Sequence, residues 1–254
     1  MPHTLCASLK QALQGRGFFL AFLGAALVVL LAAFEGFLSG FRSEQLLAYG
    51  YHHTLILSAL SSEGMALALP ILCALPYTAA FLDDVKSGFI KAYLPRTTVD
   101  GYIMSRALGC AISGGLALSL GILTAYGIAA LLLLPLEAMR DYLLEPPGYF
   151  RQLLETLLMF FASGAFWALA GLTFATLTNS RYMAYASPFV LFYLLVILYE
   201  RYFDKLYVLY PREWLEPSDR WVFGRIGVAV LLLELSALMA LLFAWAAKRR
   251  LRQI

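Results

Sequence analysis

Charge is what this sequence has least of. Only 14% of its 254 residues are Asp, Glu, Lys or Arg, while 61% are hydrophobic. An average soluble domain is about 25% charged and about 45–50% apolar. The shortage excludes an ordinary soluble enzyme and a disordered chain alike. The net charge of +3 is small, and no concentrated basic face accompanies it, so a nucleic-acid partner is not expected. Cysteine is scarce too. Cys6, Cys73 and Cys110 are odd in number and far apart, which gives neither a disulfide framework nor a spaced zinc site. A phosphate-cradling G-x-x-x-x-G-K-[ST] loop is missing, and so are H-E-x-x-H, G-x-S-G and G-x-G-D. The first absence removes ATP hydrolysis from this chain; the others leave an intramembrane protease without support. No catalytic residue and no metal ligand set is expected. His52-His53 is an adjacent pair; neighbouring helical residues point about 100° apart, and with no third ligand nearby the pair reads as interfacial histidines.

What the sequence has instead is long apolar runs. A bilayer-spanning helix needs about 20 mainly apolar residues, and six stretches qualify: 17–38, 55–82, 103–134, 153–177, 182–199 and 221–247. These are solid runs rather than alternating segments of about ten, so helices are expected and not a β-barrel. The first run is too long for a typical signal-peptide core and lacks an A-x-A site, so it is read as a retained span. Lys10 and Arg16, then Lys86, Lys91, Arg96 and Arg106, then Arg181, and finally Lys248, Arg249, Arg250 and Arg252 fall at one face if the N-terminus is cytoplasmic. That bias places both ends inside. No hydrophilic stretch is long enough for a separate soluble domain. The expected fold is therefore all-α: residues 1–254 form one polytopic transmembrane domain.

Between the spans lie three informative segments. Residues 2–16 set Leu5, Leu9, Ala12 and Leu13 on one helical face, as in a helix lying among lipid headgroups. Residues 83–95 repeat Val85, Phe89 and Tyr93 every four positions, with Ile90 and Leu94 alongside. Asp83 and Asp84 suit a helix start and Pro95 a helix stop. Thr97-Thr98-Val99-Asp100 then offers a capping box for the third span. Such an amphipathic helix is expected either on lipid or on the domain's own underside, or as a knob for a soluble partner. Residues 200–220, the largest outer connection, are rich in Tyr and Trp and broken into short pieces by Pro211 and Pro217; from the residues they read as an interfacial aromatic belt with a surface helix.

Asp84-x3-Gly88, the aromatic and aliphatic run into Leu94-Pro95, the basic and hydroxyl residues after it and the later Arg106 together resemble the first cytoplasmic loop of ABC-2 type transporter permeases. Six spans, an amphipathic N-terminal helix and a large last outer connection are similar to that family's layout, and the resemblance implies, as an equal alternative to the belt, that 200–220 forms short helices dipping back into the outer leaflet to cap the pathway. The resemblance implies that 83–95 is the coupling helix. Val85, Phe89, Ile90 and Tyr93 would then contact a cytoplasmic ABC ATPase, Lys86 and Lys91 would face its acidic groups, and Gly88 would permit close approach, with Asp84 and Pro95 framing the segment. It further implies ATP and Mg2+ bound by that separate chain, a second permease copy or a similar permease as partner, and contact of the first and fifth spans across the dimer. Export of a hydrophobic or amphipathic substrate (peptide or antimicrobial, drug or lipid) by alternating access follows, in the bacterial plasma membrane. An intramembrane enzyme, or a non-enzymatic assembly factor or channel, is the alternative. Ile112-Ser113-Gly114-Gly115-Leu116 is superficially like the ATPase signature, but it lies inside an apolar run and reads as close helix packing.

Two acids fall inside spans, Glu63 beside Ser61-Ser62 and Glu234 in the sixth run. Carboxylates there are costly; each either lines a substrate pathway or is a protonated, hydrogen-bonded structural group. Gly36-x3-Gly40 and the Ala117, Gly121, Ala125 stripe permit close helix contact, either internally or between copies.

Overall fold

The computed structural model describes residues 2–93, 97–138, 148–203, 205–221 and 223–252. It is all-α, 81% helical, with no strand among the described residues. Eleven helices follow in chain order: α1 (Pro2–Gln14), α2 (Arg16–Ala32), α3 (Phe34–Arg42), α4 (Tyr51–Leu60), α5 (Glu63–Ala74), α6 (Ala80–Lys86), α7 (Phe89–Tyr93), α8 (Val99–Leu133), α9 (Tyr149–Thr178), α10 (Arg181–Arg201) and α11 (Gly224–Leu251). Four single helices, α8 to α11, are long and apolar enough to cross a membrane, and the count reaches six if two bent pairs are each one span. The architecture is that of a helical membrane protein.

The bent pairs are where the fold departs from the hydropathy reading. The expected span 55–82 is not one helix. α4 ends at Leu60, α5 begins at Glu63, and their axes differ by 67°. Ser62 makes the break: its extended backbone leaves α4, and its hydroxyl accepts from the Met65 N–H to cap α5. Such a cap satisfies one of the first-turn donors a helix start leaves orphaned. The first expected span, 17–38, divides at Ala33 into α2 and α3. The N-terminal helix forms as expected but is bent 54° from α2. It lies against α8, with Ala12 and Ser8 buried, so one side faces protein rather than headgroups.

α9 is the central element. Of its apolar window 67% is buried, against 17% for α11, and it packs on α8, α10, α11 and α5. α8 carries α1 and α2 on another side. Small residues allow these crossings. A Cβ on Gly114 of α8 would fall 2.6 Å from the Ala168 Cβ of α9, and one on Gly121 would fall 2.6 Å from the Ala25 Cβ of α2. Gly36 and Gly40 of α3 abut Leu55 and Tyr51 of α4. All three candidate packing glycines therefore serve contacts within the chain. The 112–116 stretch is the α8–α9 crossing.

Most of residues 205–221 are exposed or half-buried, and Pro211 and Trp214 are the side chains the segment turns inward. Trp214 is fully buried, its ring edge-on to Phe166 at 5.4 Å and 5.8 Å from Trp167. Trp167 stands more than half-way along α9, so this segment dips into the bundle. The Trp214 indole N–H donates to the Val208 carbonyl at 2.8 Å, which closes the dipping loop on itself.

Candidate functional site

Two constellations stand out, at opposite ends of the bundle. The first gathers around α6. Hydrogen bonding through α6 is interrupted at Ser87-Gly88, where Gly88 takes φ +74°, a left-handed conformation that side chains other than glycine resist. The expected single helix over 83–95 is therefore two helices, α6 and α7, with a sharp turn between them. That turn reorders the expected face. Ile90 is buried in the domain's own core and Val85 is half-buried against it, while Lys86, Gly88, Phe89 and Lys91 are exposed. The Tyr93 side chain and all of Leu94, Pro95 and Arg96 lie outside the described residues. Thr98 caps α8, accepting from the Gly101 N–H at 3.3 Å, one residue later than the Thr97 start of the capping box.

Asp84 points inward. Its carboxylate forms a buried ion pair with the Arg106 guanidinium of α8 and accepts from the Tyr102 hydroxyl at 2.5 Å. Arg106 also donates to Gln11 Oε1 of α1 at 2.9 Å, and the same oxygen accepts from the Tyr77 hydroxyl at 3.0 Å. The Arg106 guanidinium lies 5.3 Å from the ring centroids of both Tyr77 and Tyr102, within cation–π range. Burial raises the Asp84 carboxyl above its ordinary value; the Tyr102 hydrogen bond opposes that and the neighbouring Asp83 adds to it. α1, α6 and α8 are thus tied at one charged knot. Beside it, Arg181 of α10 donates to Asp83 at 2.5 Å.

The second constellation surrounds the α4–α5 break. A pocket of about 250 Å3 opens there. Ser61, Ser62 and Glu63 line it from the break, Gln152 and Thr156 from α9, Arg225 from α11, and Tyr210, Arg212, Glu213, Leu215 and Glu216 from the dipping segment. Glu216 accepts from the Ser61 hydroxyl at 2.7 Å, so the dipping segment is pinned to the break itself. Arg225 donates to Glu155 at 3.2 Å. Glu213 accepts from the Ser218 N–H at 2.9 Å and from the Trp221 indole at 3.3 Å. Glu63 is exposed to the pocket with no hydrogen-bond or ion-pair partner among the described residues.

The structure does not bring Glu63 and Glu234 together. Glu234 stands in the middle of α11 on an exposed face shared with Val230, Leu233, Leu238 and Leu241. His52 and His53 are buried. His52 Nδ1 lies 2.7 Å from Glu137, and its Nε2 lies 3.2 Å from the Tyr126 hydroxyl. Glu137 also accepts from the backbone N–H groups of Gly50 and His52, and so clamps the 43–50 connection to the end of α8. Sequence reading missed Glu137; its one signal was an acid directly after an apolar run. Among the described residues no three His, Cys, Asp or Glu side chains cluster as a metal site.

Compared with protein-family models, with curated proteins and with solved structures, the chain has no match.

Proposed function

We infer that this chain is the membrane-spanning permease subunit of an ATP-driven exporter, docked through the α6–α7 turn to a cytoplasmic ABC ATPase that binds ATP and Mg2+. The observation that carries the reading is the pairing of an exposed knob with a buried anchor. Lys86, Phe89 and Lys91 project at and after the turn, while Asp84, two residues before Lys86 on α6, is held inside by Arg106 of a 35-residue helix. A push on the knob is carried to α8 through a charged contact in a water-poor setting, where such contacts are stiff and costly to break. Two lysines flanking an aromatic ring suit an acidic, partly apolar groove. In this reading the α6–α7 end is cytoplasmic, and the 205–221 segment is at the outer face. The cargo is hydrophobic or amphipathic, because the bundle offers few charges.

A second permease copy completes the conduit. Glu234 supports that: a carboxyl on a lipid-facing helix surface is costly, and a neighbouring copy removes it from the acyl chains.

The test is co-expression and co-purification with an ABC ATPase from the same genome, using Phe89→Asp and Lys91→Asp. Loss of the complex, with the permease still folded in detergent, is the expected result. An intact complex with unchanged coupling of ATP hydrolysis to transport overturns the assignment.

A further inference from the structure

We propose that the pocket at the α4–α5 break binds an amphipathic organic cation, a primary ammonium carried on a compact apolar body, with Glu63 as its counter-charge. This rests on the exporter reading, since it names a cargo class for it.

Three observations converge. The first is the break. A helix interrupted inside an apolar run exposes backbone ends that protein or water must satisfy, and membrane transporters place substrate sites at such discontinuities. α4 ends and α5 begins here, so the two helix ends offset each other's dipole and the preference for a cation comes from the side chains. The second is the charge inventory. Glu63, Glu213 and Glu216 line the pocket against Arg212 and Arg225, and Arg225 is already engaged by Glu155. The balance is negative. Glu213 and Glu216 each have donors from the chain itself, which leaves Glu63 as the carboxylate open to a ligand. The third is the apolar part of the same lining. Leu57, Leu60, Phe160 and Leu215 supply an apolar side. A bound ammonium would meet Glu63 while its body lay on that side, as small-molecule sites combine an apolar lining with a few placed polar groups. Arg212 disfavours a second positive charge.

The probe is monodansylcadaverine, whose dansyl emission reports an apolar surrounding, and its N-acetylated form, which has the same body without the charge. Both are titrated against the full-length chain in phosphatidylcholine nanodiscs without ATPase. Saturable binding of the amine is expected, with the acetylated form weaker by about tenfold, the size of one charge-assisted contact. Glu63→Gln should remove that difference and Glu63→Asp should keep most of it; unchanged tryptophan emission and thermal unfolding of each variant before probe is added check that it is folded. Equal binding of the two probes, or an unchanged preference in Glu63→Gln, overturns the proposal. Repeating the titration with phosphatidylethanolamine in the disc assigns the source: competition marks a lipid amine, and its absence a soluble one. Because no ATPase is present, loss of this site and loss of ATPase docking are separate results.

Discussion

Asp84 and Arg106 each depend on the other. Both are buried, and removal of either leaves a charge without its counterpart in a low-dielectric setting. Asp84→Ala should therefore cost about 3–5 kcal/mol, read as a lowered unfolding temperature in detergent. Replacing both, as in Asp84→Leu with Arg106→Met, should recover much of that loss, because a well-packed apolar pair is often as stable as a buried ionic one. Tyr102→Phe removes one hydrogen bond to a charged acceptor and should cost about 1.5–3 kcal/mol. On the proposed exporter reading, a double variant that restores stability but not coupling to the ATPase would separate the structural part of the knot from a mechanical one. The acid at 84 and the base at 106 were legible as a motif through a resemblance. Their contact was not, because spacing along a chain does not say which side of a short helix turns inward. Gln11 and Tyr77 carried no sequence signal for the knot at all; they join it only because α1 folds back against α8.

At the level of elements, the long helices α8 to α11 follow from hydropathy alone, and each contains most of the run expected for it. The breaks do not. Ser61 and Ser62 are small and weakly polar, so they barely lower the average over a window, yet Ser62 caps a new helix. Ser62→Ala should weaken α5 by about 1 kcal/mol and distort the pocket next to it. Gly88 was read as a point of close approach; its positive φ divides the expected helix and sends Ile90 inward. Glycines of α8 give a sharper contrast. Gly114→Val forces side-chain atoms into Ala168 and the Gly164 carbonyl, and should cost about 1–3 kcal/mol as overpacking does. Gly127 has nothing within 4 Å of a built Cβ, so Gly127→Ala should be neutral or gain up to about 1 kcal/mol from helix propensity. Thermal unfolding of the two variants side by side checks the α8–α9 crossing.

On the scale of the whole molecule, the bundle is asymmetric. α9 is enclosed and α11 is bare, and the bare helix carries Glu234 at its middle. Two copies are expected in native mass spectrometry from nanodiscs. Glu234→Leu should leave amine binding at Glu63 unchanged, since Glu234 is not among the pocket residues; a shift in the dimer fraction with that variant would place α11 between copies. The interruption between α4 and α5 also shortens the helix that follows Glu63. The α5 segment has 12 residues, about 18 Å at helical rise, against roughly 30 Å of hydrocarbon. A cation held beside Glu63, as proposed above, would therefore sit at the end of a helix too short to cross the hydrocarbon by itself.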